Sequence, residues 1–282
     1  MKALLWIEAA RPKTFVISAA PVLLGTCFAL KAGSFSLLTF LITLLATLAI
    51  QIGSHFANDY YDFLKGADTA TRKGPRRLVQ AGLIPLSDMK LAAFLTLSTA
   101  ALLSIYLTLR GGPVFALLAT ISIFLAVGYT GGPLPLAYLG IGEFFVLLFY
   151  GIIATSGTAY LQTHTFSWDP VFLGLIPGLA ATAVLAVANM RDIEEDRKVG
   201  KKTLAARFGH RFAKLEYTSC LLAAIFLPLI FGFYLPLIAL IPALVPLKAV
   251  WQNTSLIPAL AQTGKIGFLL SLLTAVSLFC GF

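Results

Sequence analysis

The sequence predicts an all-α fold, a polytopic membrane bundle of about nine transmembrane helices that takes up the whole chain, 1–282, as one domain. Three observations carry this expectation. Hydrophobic residues make up 59% of the chain and charged residues 12%, with a mean hydropathy of +0.89, whereas a soluble globule is about 25% charged. The apolar runs reach about 20 residues, the length a helix needs to cross the hydrocarbon layer. They are unbroken, without the period-two alternation of a transmembrane β-barrel.

In order, the spans fall near 14–31, 37–60, 90–109, 112–130, 137–161, 170–190, 213–233, 235–250 and 265–281. The first follows Trp6-Ile7-Glu8-Ala9-Ala10-Arg11-Pro12, has no clear small-residue cleavage site and leads into further spans, so it does not read as a signal peptide. The second ends in Asn58-Asp59-Tyr60-Tyr61-Asp62, and a polar connection to residue 89 follows. The fourth ends in Tyr129-Thr130-Gly131-Gly132-Pro133, and the fifth carries a lone Glu143. The sixth ends in Asn189-Met190-Arg191-Asp192-Ile193-Glu194-Glu195-Asp196, with a second polar connection to residue 212. Cys27, Cys220 and Cys280 are isolated in apolar surroundings, match no metal-ligand spacing and read as packing residues.

Charge placement gives the orientation. Nineteen of the twenty-one Lys and Arg lie before the first span or in the connections expected on that same side; Lys31 and Arg110 lie opposite. The positive-inside rule then places the N-terminus and both polar connections in the cytoplasm, with the C-terminus outside, in a multi-pass protein of the cell (inner) membrane. The formal net charge of +9 is mostly this signal, helped by attraction to anionic lipid, and does not call for nucleic acid as a partner.

Seven of the twelve Asp and Glu fall in the two clusters that end the second and sixth spans, the first of which continues to Asp68. A carboxylate at a membrane edge is costly and marks function. Asp59 and Asp62 are three apart and Asp192 and Asp196 four apart, so each pair shares one face of a helix. Without a cation such pairs repel; Mg2+ takes one or two carboxylates together with water and phosphate oxygens. The basic runs Arg72-Lys73-Gly74-Pro75-Arg76-Arg77 and Arg197-Lys198-Val199-Gly200-Lys201-Lys202 lie directly beside the acids. Arginine forks and lysine point charges suit phosphate oxygens. Glu143 should face a cavity or a partner; Tyr129 and Gln162 are either lining or helix-end residues. His55, one turn before Asp59, is either a packing histidine or a proton acceptor near the metals.

At this point the chain resembles the intramembrane aromatic prenyltransferases of the UbiA superfamily, over essentially its whole length, and in particular their naphthoate branch in menaquinone biosynthesis. The resemblance rests on Asn58-Asp59-Tyr60-Tyr61-Asp62 with Gly66, Asp68, Arg72, Gly74-Pro75 and Arg77, on Tyr129-Thr130-Gly131-Gly132-Pro133, and on Gly142-Glu143 and Gln162. It continues through Arg191-Asp192-Ile193, Asp196, Gly200-Lys201 and Thr203-Leu204-Ala205. Ubiquinone-type relatives carry a third acid where this chain has Gly66, and naphthoate-type members usually show Asn where it has His55. The resemblance implies Mg2+ held by Asp59, Asp62, Asp192 and Asp196, with Asp68 as an addition. It implies a polyprenyl diphosphate gripped by Asn58, Arg72, Arg77, Arg191 and Lys201, and a pocket formed by His55, Tyr129, Glu143, Gln162 and Asn189. The implied reaction is prenyl transfer to 1,4-dihydroxy-2-naphthoate with loss of diphosphate and CO2, giving demethylmenaquinol. Another aromatic acceptor, 4-hydroxybenzoate or homogentisate, fits the same residues. A transporter is the competing class, but its acids would sit nearer the bilayer midplane.

Overall fold

Apolar runs of this length must satisfy their backbone internally once in lipid, and helices do so here. The computed structural model describes residues 2–67, 74–132 and 135–280, and every regular element among them is helical. Helix α1 (Lys2–Ala10) precedes α2 (Phe15–Lys31), α3 (Leu37–Leu64), α4 (Leu86–Gly111) and α5 (Pro113–Gly128). A single turn, α6 (Leu136–Leu139), leads to α7 (Gly142–Leu147), which runs through a π-helical stretch (Leu148–Ile153) into α8 (Ala154–Thr163). Then come α9 (Asp169–Leu173), α10 (Leu175–Arg191), α11 (Ile193–Lys198), α12 (Leu204–Phe226), α13 (Leu240–Trp251) and α14 (Leu256–Cys280). Local chemistry sets several starts. Ser36 caps α3 by accepting from Thr39 N at 3.3 Å, and Thr203 caps α12 by accepting from Ala206 N at 3.2 Å.

Among the described residues seven helical stretches are long and apolar enough to cross a membrane, not nine. The other two expected spans, Pro113–Gly128 and Leu235–Trp251, are shorter apolar helices. Prolines break up the second of these, which opens as a 3-10 stretch at Leu235–Ala239 and carries Pro246 inside α13. The 16 residues of α5 rise about 24 Å, short of the roughly 30 Å core. Yet α5 links the two ends of the bundle. Just before it, Arg110 Nε donates to Leu161 O at 2.7 Å; just after it, Thr130 Oγ1 donates to Asn58 Oδ1 at 2.8 Å, beside the acids.

The largest buried cluster joins α10, α12, α13 and α14 through residues such as Ala183, Val187, Leu221, Ala243 and Leu270. Small residues let backbones approach closely, as in membrane bundles generally. A Cβ on Gly151, in the π stretch, would stand 2.5 Å from both Gly174 O and Gly178 Cα. A second cluster packs Ala9 of α1 on Phe56, Leu78 and Met89, with the Trp6 and Phe56 rings edge to face at 5.7 Å. It presses the turn at 78–80 against the acidic end of α3, and so fixes one wall of the site.

Candidate active site

Where α3, α10 and α11 end, their acids and the neighbouring bases line a single cavity of about 410 Å3. Asp62, 1% exposed, sits between two cations from different segments. Arg77 Nη2 donates to its Oδ2 at 2.9 Å, and Lys201 Nζ stands 3.0 Å from its Oδ1. The second contact ties the end of α3 to the segment after α11, so the two acidic motifs meet at one mouth. Arg191 forks onto Asp192, Nε to Oδ1 and Nη2 to Oδ2, both at 2.6 Å. Asp196 accepts from Thr203 Oγ1 at 3.3 Å. Burial pushes its carboxyl up to about 6; Lys201 and Thr203 pull it back, and the Asp192 and Asp62 charges add to the rise.

The deeper wall is apolar and aromatic. Phe145 and Phe149 stack with centroids 6.3 Å apart, and with Tyr129 and Tyr150 they face the cavity. A Cβ on Gly142 would come within 3.3 Å of the Tyr129 ring and hydroxyl, so the glycine gives that tyrosine its place. The π stretch carries Phe149 and Tyr150, and one extra residue per turn re-aims such side chains.

Ten of the expected site residues line this cavity: His55, Asn58, Asp62, Arg77, Tyr129, Asn189, Arg191, Asp192, Asp196 and Lys201. Three do not. Asp59 is buried beside it and accepts from Leu78 N at 3.3 Å, while its Oδ1 has no hydrogen-bond partner among the described residues. Glu143 stays behind the wall, its Oε1 accepting from Asn189 Nδ2 at 2.8 Å. Gln162 is not a pocket residue. Its Oε1 accepts from Ser36 N at 2.7 Å and its Nε2 donates to Ser36 O at 3.2 Å, which clamps the α2–α3 loop. Ser36 precedes Asp62 by 26 residues, about 39 Å of helix, so Gln162 belongs to the opposite membrane face. Asp68 and Arg72 lie outside the described residues.

Sequence reasoning passed over Arg11, Thr14, Ser18 and Gln51, which also line the cavity. Gln51 and His55 are one turn apart on α3 and lead on to Asp59, a polar row within an apolar span that could have marked that face.

The residues 18–272 match the description of the UbiA prenyltransferase family. The chain belongs to that family. This prenyltransferase is 35% identical to a 1,4-dihydroxy-2-naphthoate octaprenyltransferase of Haemophilus influenzae, over 98% of this chain and 96% of that one. It is 40% identical to the protein of the same name from Escherichia coli, over 77% and 72% respectively. In fold it is similar to a UbiA homolog from Archaeoglobus fulgidus solved with GPP and Mg2+, with TM-score 0.70 and 15% identity over 98% of this chain and 99% of that one.

Proposed function

We propose that this UbiA-family protein transfers a polyprenyl group from polyprenyl diphosphate to 1,4-dihydroxy-2-naphthoate, releasing diphosphate and CO2 and yielding demethylmenaquinol, at the cytoplasmic face of the cell membrane. The observation that carries the reading is the 3.0 Å contact of Lys201 with Asp62. It closes two acidic motifs, 130 residues apart in the chain, over one mouth whose interior is apolar. The names of the relatives support the naphthoate acceptor and a long isoprenoid donor.

The donor set suits Mg2+. Asp59, Asp62, Asp192 and Asp196 offer hard oxygens only, and the buried, unpartnered Oδ1 of Asp59 is an acceptor waiting for a cation. Among the described residues no three acids come together as a complete metal site, so diphosphate oxygens and water would finish the coordination, with Asp68 a further candidate ligand. When bound, Mg2+ neutralises the charge that gathers on the departing diphosphate.

The chain's own residues then divide the work. Arg77, Lys201 and Arg191, with Arg72 from the same basic run, hold phosphate oxygens by charge-assisted hydrogen bonds. Breaking the allylic C–O bond sends its electron pair out with the diphosphate. The Tyr129, Phe145 and Phe149 rings face the allylic cation with their negative π surfaces, and the apolar wall keeps water away. The ring carbon that bears the acceptor's carboxylate donates its electron pair to the allylic carbon. The carboxylate leaves as CO2 and returns its bonding pair to the ring.

Membranes containing the wild-type protein, octaprenyl diphosphate, Mg2+ and the naphthoate should yield the prenylated, decarboxylated product by mass spectrometry. Asp62→Ala and Asp192→Ala should lower turnover by more than about 1,000-fold, the scale at which electrostatic groups act, while the protein still inserts. Chelation should abolish the product and added Mg2+ restore it. Wild-type rates in both variants, or a product made only from 4-hydroxybenzoate offered in parallel, would refute the assignment.

A further inference from the structure

The stretch that leads into α12 is strongly one-signed. Residues 197–215 carry seven Lys and Arg and no Asp or Glu. Four of the seven are committed within the protein. Lys201 stands 3.0 Å from Asp62. Arg197 Nε donates to Ala206 O at 2.8 Å, Arg207 Nη2 to Leu139 O at 3.0 Å and Lys214 Nζ to Trp251 O at 2.8 Å. Lys198, Lys202 and Arg211 are exposed, and among the described residues none of them makes an ion pair or a hydrogen bond. Their counter-charge comes from outside the chain.

Beside these cations lie apolar side chains that a solvated loop would cover. Phe208 is 61% exposed and Phe212 36%, with ring centroids 4.9 Å apart, and Leu215 continues the row at 49%. Positions 208, 212 and 215 fall on one helix face. Arg207, Arg211 and Lys214, each one residue earlier, make a basic row alongside. The other side is packed, with Ala205, Ala206, Ala213 and Tyr217 all buried. Gly209 interrupts the helix between the two rings with φ 81 and ψ −177, backbone that favours glycine, so Leu204–Phe208 is freed from the axis of the span behind it.

A topology signal needs charge alone. A basic row beside an exposed aromatic row is instead the pattern of a helix lying in the headgroup layer. The depth agrees. Lys201 reaches the mouth at Asp62, and the apolar span counts from Leu204, so both rings lie where that span leaves the hydrocarbon.

We propose that this face of α12 docks on anionic phospholipid, with the Phe208 and Phe212 rings among the acyl chains and Lys198, Lys202 and Arg211 on net-negative headgroups. The occupant is the leaflet, because the aromatic row continues directly into the bilayer-crossing part of α12 and the unpaired charge beside it is all positive. The inference holds whichever acceptor the cavity takes.

The test uses the whole chain in vesicles of equal parts phosphatidylcholine and phosphatidylglycerol, with Phe208→Trp as the reporter. Subtracting the protein without that substitution removes the emission of Trp6, Trp168 and Trp251. Bromines are carried on the acyl chains of one lipid or of the other, so that the two vesicles differ only in which lipid quenches. Brominated phosphatidylglycerol should quench the reporter about two-fold or more above brominated phosphatidylcholine, since cations near the surface enrich anionic lipid. Lys198→Gln, Lys202→Gln and Arg211→Gln together should equalise the two while both still quench, and the melting temperature should stay at the wild-type value. Phe212→Trp, on the same face, gives an independent reading. Equal quenching in protein that keeps its three cations overturns the proposal, as does a reporter that neither lipid quenches. A preference that survives the triple substitution overturns it too. So does one abolished by Mg2+ and farnesyl thiodiphosphate, which would assign these cations to the prenyl donor.

Discussion

Glu143 touches the cavity only through Asn189, whose Nδ2 it accepts at 2.8 Å, and both residues are buried. We expect this bond to act by holding that amide in place, so an uncharged acceptor should serve as well. Glu143→Gln is expected to keep turnover within about three-fold and the melting temperature close to wild type. Glu143→Leu leaves the buried amide without its acceptor, a loss of about 1–3 kcal/mol, and should lower the melting temperature in detergent. A large fall in turnover for Glu143→Gln at unchanged melting temperature would show that the charge itself is needed. Which residues were legible beforehand follows the same logic. Asp62, Asp192 and Asp196 stood out because acids are rare in this chain and cluster at span ends. Gln162 was misplaced because a lone polar residue near a helix end does not say which membrane face it serves. Arg11 was hidden among cations that a positive-inside count already accounted for.

At the scale of elements, the wall that carries the aromatic rings depends on glycine. Gly174 and Gly178, one turn apart on either side of the start of α10, meet Gly151 in the π stretch, and a Cβ there would collide with backbone that cannot give way. Gly151→Ala should therefore force α10 away from the π stretch at a cost of about 1–3 kcal/mol, seen as a lower melting temperature. Turnover should fall with it, because Phe149 and Tyr150 move with the strand of backbone that carries them. An unchanged melting temperature would mean that the two segments are not so tightly seated. Hydropathy alone located most of the long helices to within a few residues, since length and apolarity are what the bilayer selects, but α12 and α14 begin nine residues before the expected 213 and 265, where polar and charged residues within the first turns hide the helix start. It could not reveal the π stretch, which has the same composition as a regular helix. Nor could it show that α5 and the Leu235–Trp251 segment fall short of a full span, because their prolines and flanking glycines trim helical length without lowering hydrophobicity.

For the whole molecule, the contact between Asp62 and Lys201 constrains the topology as well as the chemistry. The end of α3 and the segment after α10 must lie at one face, and the bonds flanking α5 carry the chain back to that face between them. Nineteen of the twenty-one Lys and Arg fall before the first span or in the connections expected on that same side, and by the charge rule this supports the proposed cytoplasmic placement of the site. The cavity of about 410 Å3 is near the low end of the roughly 300–1,000 Å3 typical of ligand sites. It has room for the reacting ends, and a long isoprenoid tail would run on between helices into lipid. Orientation can be read with a native thiol. Cys280 is exposed at the end of α14, whereas Cys27 and Cys220 are partly covered by packing within α2 and α12. An impermeant maleimide added to intact spheroplasts should label wild type and not Cys280→Ser, and a cysteine placed at Gly200, beside Lys201, should react only after the cells are opened. Labelling of the Gly200 position in sealed spheroplasts would turn the protein over in the membrane and put its acids on the side where neither diphosphate nor Mg2+ is supplied by the cytoplasm.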